Sequence, residues 1–332
     1  MLQKILELPI LKPIIDNLKL QKFLIQNQAL KNELLALPLV HSGVELVNGQ
    51  SLPFVVLEDK TVLYGRFPTD LEKQVYSKWE GQISRHINQD TMRVAMDVVM
   101  RYLYPHSMPY ITMPYPRSQR SRFHPQHIET IKDLPQVSDA QKDELIKIFN
   151  VRKGETFLDI GAYMGFGDVR MSREVGPEGR IIAVEADEDA RSLLELNVKT
   201  NNLANVIVVP AAISDHEGYE TFYKTERQAN SLIPGVVNSD KSYKVRTLTI
   251  DGVLRDNSLS KVNRISLTIN GAEVEAVNGM KSTVENSDFL RISAAGWYKR
   301  NGQRISDILA PKLRAYGLNV AIGRDGGVLA WK

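Results

Sequence analysis

The stretch T-F-L-D-I-G-A-Y-M-G-F-G at 156–167, followed by R-I-I-A-V-E-A-D at 180–187, carries the reading from which the rest of this chain follows. An apolar run closing on Asp159 and Gly161 reads as a buried parallel strand, Gly165 and Gly167 lead into a helix N-terminus, and Glu185 ends the next strand. Strand ends of a parallel α/β sheet face a ligand crevice, so a carboxylate at the second strand end can accept hydrogen bonds from both hydroxyls of a ribose. A nucleoside cofactor is implied. The competing reading is an ordinary α/β turn whose glycines only satisfy positive φ; the position of Glu185 weighs against it.

Glycine spacing narrows the cofactor. A dinucleotide fold wants G-x-G-x-x-G, because a pyrophosphate approaches bare backbone at the second glycine and faces the following helix dipole. Gly161, Gly165 and Gly167 are spaced G-x-x-x-G-x-G, with Asp159 two positions before the first. That arrangement suits S-adenosylmethionine, whose amino-acid tail carries no phosphate and whose ammonium group Asp159 can face directly or through water.

Composition bounds the alternatives. The chain has 332 residues, enough for one large or two modest domains without covalent staples. It has no cysteine, which excludes disulfides and thiolate metal sites and permits a reducing, cytoplasmic location. With 42 basic and 39 acidic residues the net charge is +3, so no global field recruits nucleic acid. No run of 18 apolar residues exists and the N-terminal stretch carries charges, so neither a spanning segment nor an export signal is expected. No metal-ligand spacing stands out.

Two regions are expected: 1–130 as a mixed, mainly helical accessory region and 131–332 as an α/β domain. Residues 1–37 read as one or two amphipathic helices, packed on their own domain or forming a homodimer seam. Val44–Tyr64 reads as a small hairpin element with turns at Asn48-Gly49 and at 58–60. Asp90 is placed to cap a helix whose Met92, Met96, Val99 and Leu103 form one apolar stripe. The Pro/Tyr-rich segment 104–125 is either a linker or a loop over the cofactor site, in which Arg117, Arg120 and Arg122 would bind an anionic or hydroxyl-rich substrate. Ser138 and Gln141 form a capping box that opens the second region. Strands are then expected at 156–160, 180–184, 206–210, 265–269, 289–293, 318–322 and 328–331, with helices between most of them, hence a mostly parallel sheet covered on both faces. An antiparallel hairpin, E-T-F-Y with K-V-R-T-L-T-I, interrupts the alternation.

The blocks F-L-D-I-G-A-Y-M-G-F-G, V-G-P-E-G-R-I-I-A-V-E-A-D, L-L-E-L-N-V-K-T-N-N-L-A-N-V, A-A-I-S-D-H-E-G and V-R-T-L-T-I-D-G-V-L, in this order between 157 and 254, resemble the FkbM-type S-adenosylmethionine-dependent methyltransferases. The resemblance covers about 138–332. It implies a class I methyltransferase fold, a Rossmann-like seven-stranded sheet with its last strand reversed, and O-methylation, commonly of sugar or natural-product hydroxyls. Carried over by position, Asp159, Gly161, Ala162 and Gly165 would line the methionine end, Glu185 would hold the ribose, and Ala186, Ala211 and Ala212 would pack by the adenine. Asn197 would brace the loop. Ala212 stands where a side-chain acid would read the adenine amine, leaving backbone or Asp215 to do so.

The chain departs from the family at 265–273. A block like I-K-I-D-V-E-G-A-E is replaced by I-S-L-T-I-N-G-A-E, so Ser266, Thr268 and Asn270 stand in place of Lys, Asp and Glu while Glu273 remains. Thr268, Asn270 and Glu273 are the candidate catalytic positions, yet neither Thr268 nor Asn270 can act as a base at neutral pH. Glu273 can, or it can cap the helix that follows; His124, His127 and His216 are more remote alternatives. Either another group deprotonates the acceptor or the acceptor needs little help. The leading expectation is O-methylation of a carbohydrate or other small hydroxylated molecule. Its rival is a catalytically silent scaffold on the same fold; a nicotinamide oxidoreductase is disfavoured by the glycine spacing, and methylation of protein or RNA has only the arginine cluster behind it.

Overall fold

The computed structural model describes residues 39–68, 70, 73, 87–98, 131, 134, 137–225, 230–236, 239–324 and 326–332. The chain divides into two compact units, Met1–His124 and Pro125–Lys332.

In the first unit, β1 (Leu39–Val47), β2 (Gln50–Leu57) and β3 (Val62–Tyr64) form an antiparallel sheet in that order. Asn48 and Gly49, with φ of 51° and 81°, make the two-residue turn that joins β1 to β2, a geometry that asks for two left-handed residues in succession. Helix α1 (Met92–Asp97) is buried throughout, and its Arg93 and Asp97 form a fully buried i,i+4 pair with two bonds of 2.9 Å. Two expectations are corrected. The described part of residues 1–130 is mainly strand, because its β-branched alternation lies at 39–64, while the helical pattern of 1–37 lies outside the described residues. Thr91, not Asp90, is the N-cap of α1; it makes no side-chain cap of its own, and the Asn88 side chain accepts its backbone N–H. Val99 and Leu103 lie outside the described residues.

The second unit opens with α2 (Asp139–Phe149), whose Ser138–Gln141 capping box is fully formed. It continues through β4 (Thr156–Ile160), α3 (Phe166–Val175), β5 (Arg180–Val184), α4 (Glu188–Thr200), β6 (Val206–Val209), β7 (Ala212–Ile213), β8 (Gly218–Lys224), β9 (Lys241–Leu248) and α5 (Ile250–Asp256). Then follow β10 (Arg264–Leu267), α6 (Glu273–Asn278), α7 (Lys281–Asn286), β11 (Arg291–Ala294), β12 (Lys299–Arg300), β13 (Gln303–Arg304), α8 (Ile305–Ala315), β14 (Asn319–Ile322) and β15 (Val328–Trp331). Seven strands form one sheet in the order β14-β15-β11-β10-β4-β5-β6, in which β15 alone runs antiparallel to its neighbours. The inserted hairpin is β8–β9, joined by β7 into a separate three-stranded sheet.

Strand alternation assigns the two faces. Leu158, Ile160, Ile182 and Val184 share one core with α5, α6, α7 and α8 residues such as Val253, Val277, Val284 and Leu313. Phe157 and Ile181 point the other way and pack with Met171 and Val175 of α3, and Ala183 packs with Leu194 of α4. Burial of apolar side chains on both faces is what makes these short strands near-continuous hydrophobic runs.

At the N-terminal end of the strands, Arg264 and Arg291 are buried. Arg291 donates to the carbonyls of Ile148, Asn150 and Asn263 and pairs with Glu155, and Arg264 donates to the Phe149 carbonyl at 2.6 Å. These cations meet the last carbonyls of α2, where the helix dipole favours positive charge.

Candidate functional site

The C-terminal ends of β4, β5, β6 and β10 lie side by side, and they bring most of the sequence-predicted residues together. The backbone knits the strand tips: Gly161 and Ala162 N–H both donate to the Val184 carbonyl, Glu185 N–H donates to Val209, and Thr268 N–H donates to Ile160. Gly161 has φ of +89°, and a Cβ there would stand 2.2 Å from the Thr268 carbonyl oxygen, so β4 and β10 approach as closely as they do only because residue 161 has no side chain. Gly165, at φ of +74°, is the N-cap of α3, and a Cβ on it would meet Leu194 of α4 at 2.2 Å. Gly167 therefore sits inside the first turn of α3 rather than ahead of it.

Glu185 spans the glycine loop. Its Oε2 accepts the N–H of Tyr163, a left-handed residue at φ of 55°, and its Oε1 accepts the N–H of Asp187, both at 2.8 Å. Burial pushes its carboxyl up to about 7 against these two donors. Asn197, fully buried on α4, donates to the Met164 carbonyl at 2.9 Å and braces the same loop. Ala211 and Ala212 are buried beyond β6, and Ala186 packs with Ala212, Phe222 and Ala272. Asp215 stands apart from this crevice: it is partly exposed and paired with exposed His216 at 2.8 Å, which holds the Asp215 carboxyl below and the imidazole above their ordinary ranges.

Beyond β10 the three candidate catalytic residues differ in what they hold. Strand β10 ends at Leu267, so Thr268 and Asn270 lie in the loop rather than on the strand. Asn270, at φ of 55°, accepts the Tyr298 hydroxyl through Oδ1 at 2.9 Å, donates Nδ2 to the Asn230 carbonyl at 2.8 Å, and accepts Ser231 Oγ on its own carbonyl at 2.9 Å. Glu273 is fully buried; its two oxygens accept the N–H groups of Ile269 at 3.0 Å and Gly271 at 2.8 Å, while burial pushes its carboxyl up to about 7. Arg117, Arg120, Arg122, His124 and His127 lie outside the described residues.

Sequence reasoning missed four members of this constellation. Asp187 caps α4 through the Ala190 N–H and also takes Asn230, Tyr243 and Lys224, tying the inserted hairpin to the site. Tyr298 and Asn230 arrive from loops far along the chain, with no motif to announce them. Asp168, fully buried in the first turn of α3, was legible as an acid directly after the last glycine.

Glu185, Asp159 and Asp168 thus gather acid around a glycine loop whose backbone is bare. Such an acceptor set fits a cationic nucleoside with ribose hydroxyls and would repel a dinucleotide's pyrophosphate. S-Adenosylmethionine meets that description.

Comparison with known proteins agrees. Residues 159–309 match the methyltransferase FkbM domain, and residues 79–223 match the protein-L-isoaspartate(D-aspartate) O-methyltransferase model. The chain is 32% identical over 142 residues to the "Probable cobalt-precorrin-6B C(15)-methyltransferase (decarboxylating)" of Sulfurisphaera tokodaii, spanning 39% of this chain and 71% of that protein. It is 30% identical over 99 residues to the protein of the same name from Thermoplasma volcanium, spanning 29% and 49%. Among solved structures, a SAM dependent methyltransferase from Aquifex aeolicus aligns over 61% of this chain and 96% of its own at 18% identity, with a TM-score of 0.31. Among the described residues no helix is long and apolar enough to cross a membrane. Glycine loop, strand-end carboxylate and family match converge: residues 159–309 carry a methyltransferase FkbM domain, the chain is an S-adenosylmethionine-dependent methyltransferase by its relatives, and S-adenosylmethionine is its cofactor.

Proposed function

We propose that this protein methylates an oxygen of a small hydroxylated molecule, carbohydrates included, and that the acceptor oxygen is one already inclined to ionise. The observation that carries this reading is the character of the rim beyond β10: Asn270, Tyr298, Ser231 and Asn230 are neutral and bonded to one another, and the one acid of the block, Glu273, is occupied by two backbone N–H groups. A neutral hydrogen-bonding rim suits a polar acceptor, and an occupied acid makes a poor general base.

In this reading Glu185 holds the ribose hydroxyls, Asp159 faces the ammonium group, and Gly161, Ala162 and Gly165 leave room for the methionine end, with Ala186, Ala211 and Ala212 against the adenine. Bound S-adenosylmethionine supplies a methyl group on a positively charged sulfur. The chain's own contribution is orientation: Thr268 and Asn270 lie at the tip of β10 beside the glycine loop, where they can hold the acceptor oxygen in line for displacement. A base within reach would add about 10²- to 10⁴-fold, and the acids and hydroxyls described at the rim are engaged with one another or with backbone N–H groups, which favours an acceptor that does not need one.

A second reading has a specific observation behind it. The relatives at 32% and 30% identity are named for methylation of a carbon of cobalt-precorrin-6B, and carbon methylation of such a ring is the alternative. A methyl-release assay with labelled S-adenosylmethionine over neutral sugars, phenols, carboxylic acids and a tetrapyrrole separates the two. Turnover confined to acidic oxygens is expected; turnover confined to the tetrapyrrole overturns the proposal in favour of the second reading.

A further inference from the structure

The geometry points to a second acid at the methionine end of the cofactor site: we propose that Asp159 and Asp168 form a two-carboxyl cradle that shares one proton in the free protein and releases it to solvent when the cofactor's ammonium group docks. The proposal rests on the assignment of Asp159 to that ammonium group.

Placement comes first. Along β4, Phe157 and Asp159 share a strand face, and Phe157 packs with Met171 and Val175 of α3. Along α3, Asp168, Met171 and Val175 fall at i, i+3 and i+7, one helical stripe. Asp168 therefore lies over Asp159 as Met171 lies over Phe157. Asp168 is 0% exposed, and neither of its carboxylate oxygens has a hydrogen-bond partner among the described residues. The group it faces is another acceptor, so two ionised carboxylates would leave a buried charge with nothing to bond, whereas one shared proton makes an O–H···O⁻ bond between them.

The surrounding charges fit. Burial, then the Asp159 charge and more weakly Glu185, push the Asp168 carboxyl well above its ordinary range. The ladder neighbours of Asp159 are Ser266 on β10 and Ala183 on β5, both uncharged. Arg264, two residues before Ser266 on the same strand face, is a cation whose field reaches Asp159, and the proton is placed on Asp168, the fully buried member that burial and the Asp159 charge push up. On α3 itself Arg170 and Glu174 pair with each other at 2.6 Å, and α4 contributes uncharged Leu194 and Asn197. A cradle of net charge −1 becomes −2 on binding one ammonium group, and the proton leaves as that cation arrives.

Isothermal titration of the full chain with S-adenosylhomocysteine, in two buffers of different ionisation enthalpy, counts protons released. The wild type is expected to release about one proton more than Asp168→Asn near pH 7, and its affinity to climb more steeply with pH, by up to about tenfold more per pH unit. Asparagine can donate to Asp159 permanently, so this variant keeps the bond and loses the titration, while the Glu185 contribution is common to both proteins. Infrared difference spectroscopy on wild-type protein with isotope-labelled aspartate gives a readout that needs no variant: a protonated aspartic carboxyl band should vanish on adding S-adenosylhomocysteine. Binding with equal proton counts in the two proteins, or with no change in an aspartic carboxyl band, overturns the cradle alone. Absence of binding at every pH overturns the cofactor-site assignment and the cradle with it.

Discussion

The Tyr298 hydroxyl donates to Asn270 Oδ1 at 2.9 Å, joining the loop after β11 to the loop after β10. Asn270 is left-handed at φ of 55° and makes three side-chain-mediated bonds to Tyr298, Asn230 and Ser231, so one residue fixes three loops at the rim. Alanine there loses two of those bonds and also meets the left-handed backbone penalty of about 1 kcal/mol, which glycine escapes. Asn270→Ala should therefore lower thermal stability more than Asn270→Gly. Equal melting temperatures would remove the backbone from the explanation. Tyr298→Phe should cost about 1 kcal/mol, since it removes one bond and strands the Asn270 oxygen.

Gly161 and Gly154 share nearly the same φ, +89° and +79°, but a Cβ at 161 meets the Thr268 carbonyl at 2.2 Å while one at 154 meets nothing within 4 Å. Gly154→Ala should cost only the conformational penalty of about 1 kcal/mol. Gly161→Ala should cost several-fold more, and should weaken S-adenosylhomocysteine binding because the tips of β4 and β10 must part. Denaturation and calorimetry on the two variants read the difference; similar losses would mean the strand tips yield easily.

Glu185 and Glu273 are both pushed up to about 7 from an ordinary 4.5. A carboxyl that protonates more readily when folded contributes stability that is complete below about pH 4.5 and is lost as pH rises to about 7. For fully buried Glu273 the loss is on the order of 3 kcal/mol. Urea denaturation of the ligand-free protein across that window should show a steeper decline for wild type than for Glu273→Gln. Parallel curves would show that Glu273 does not titrate there.

Arg291 holds Glu155 and three backbone carbonyls at the end of the sheet opposite the cofactor crevice. Arg291→Met should destabilise by about 3 to 5 kcal/mol, because Glu155 is left as a buried charge without its partner. The folded fraction should bind S-adenosylhomocysteine with an unchanged Kd. A large change in Kd would mean the two ends of the strands are coupled.

Much of this is legible in the sequence. Strands 156–160, 180–184 and 328–331 carry the boundaries that alternation and glycine spacing suggest, and the Ser138–Gln141 box opens α2 as its side chains require. The accessory region reads as mainly helical because of the periodic pattern at 1–37, whereas its described strands lie at 39–64, a different stretch of sequence. Asp90 was a plausible cap by residue type, but the chain turns one residue later, with Asn88 taking the Thr91 N–H.

The sequence alone determined the local units and pointed to the cofactor, because strand alternation, left-handed glycines and an acid at a strand end are properties of a few consecutive residues. Tertiary structure decided what each acid does. Glu273 became a brace for Ile269 and Gly271, Asn270 became the meeting point of Tyr298, Asn230 and Ser231, and Asp168 came to lie over Asp159. Those outcomes depend on the angle of a helix over a strand and on which loops emerge beside one another. Both are set by packing between residues far apart in the chain, which no local pattern records.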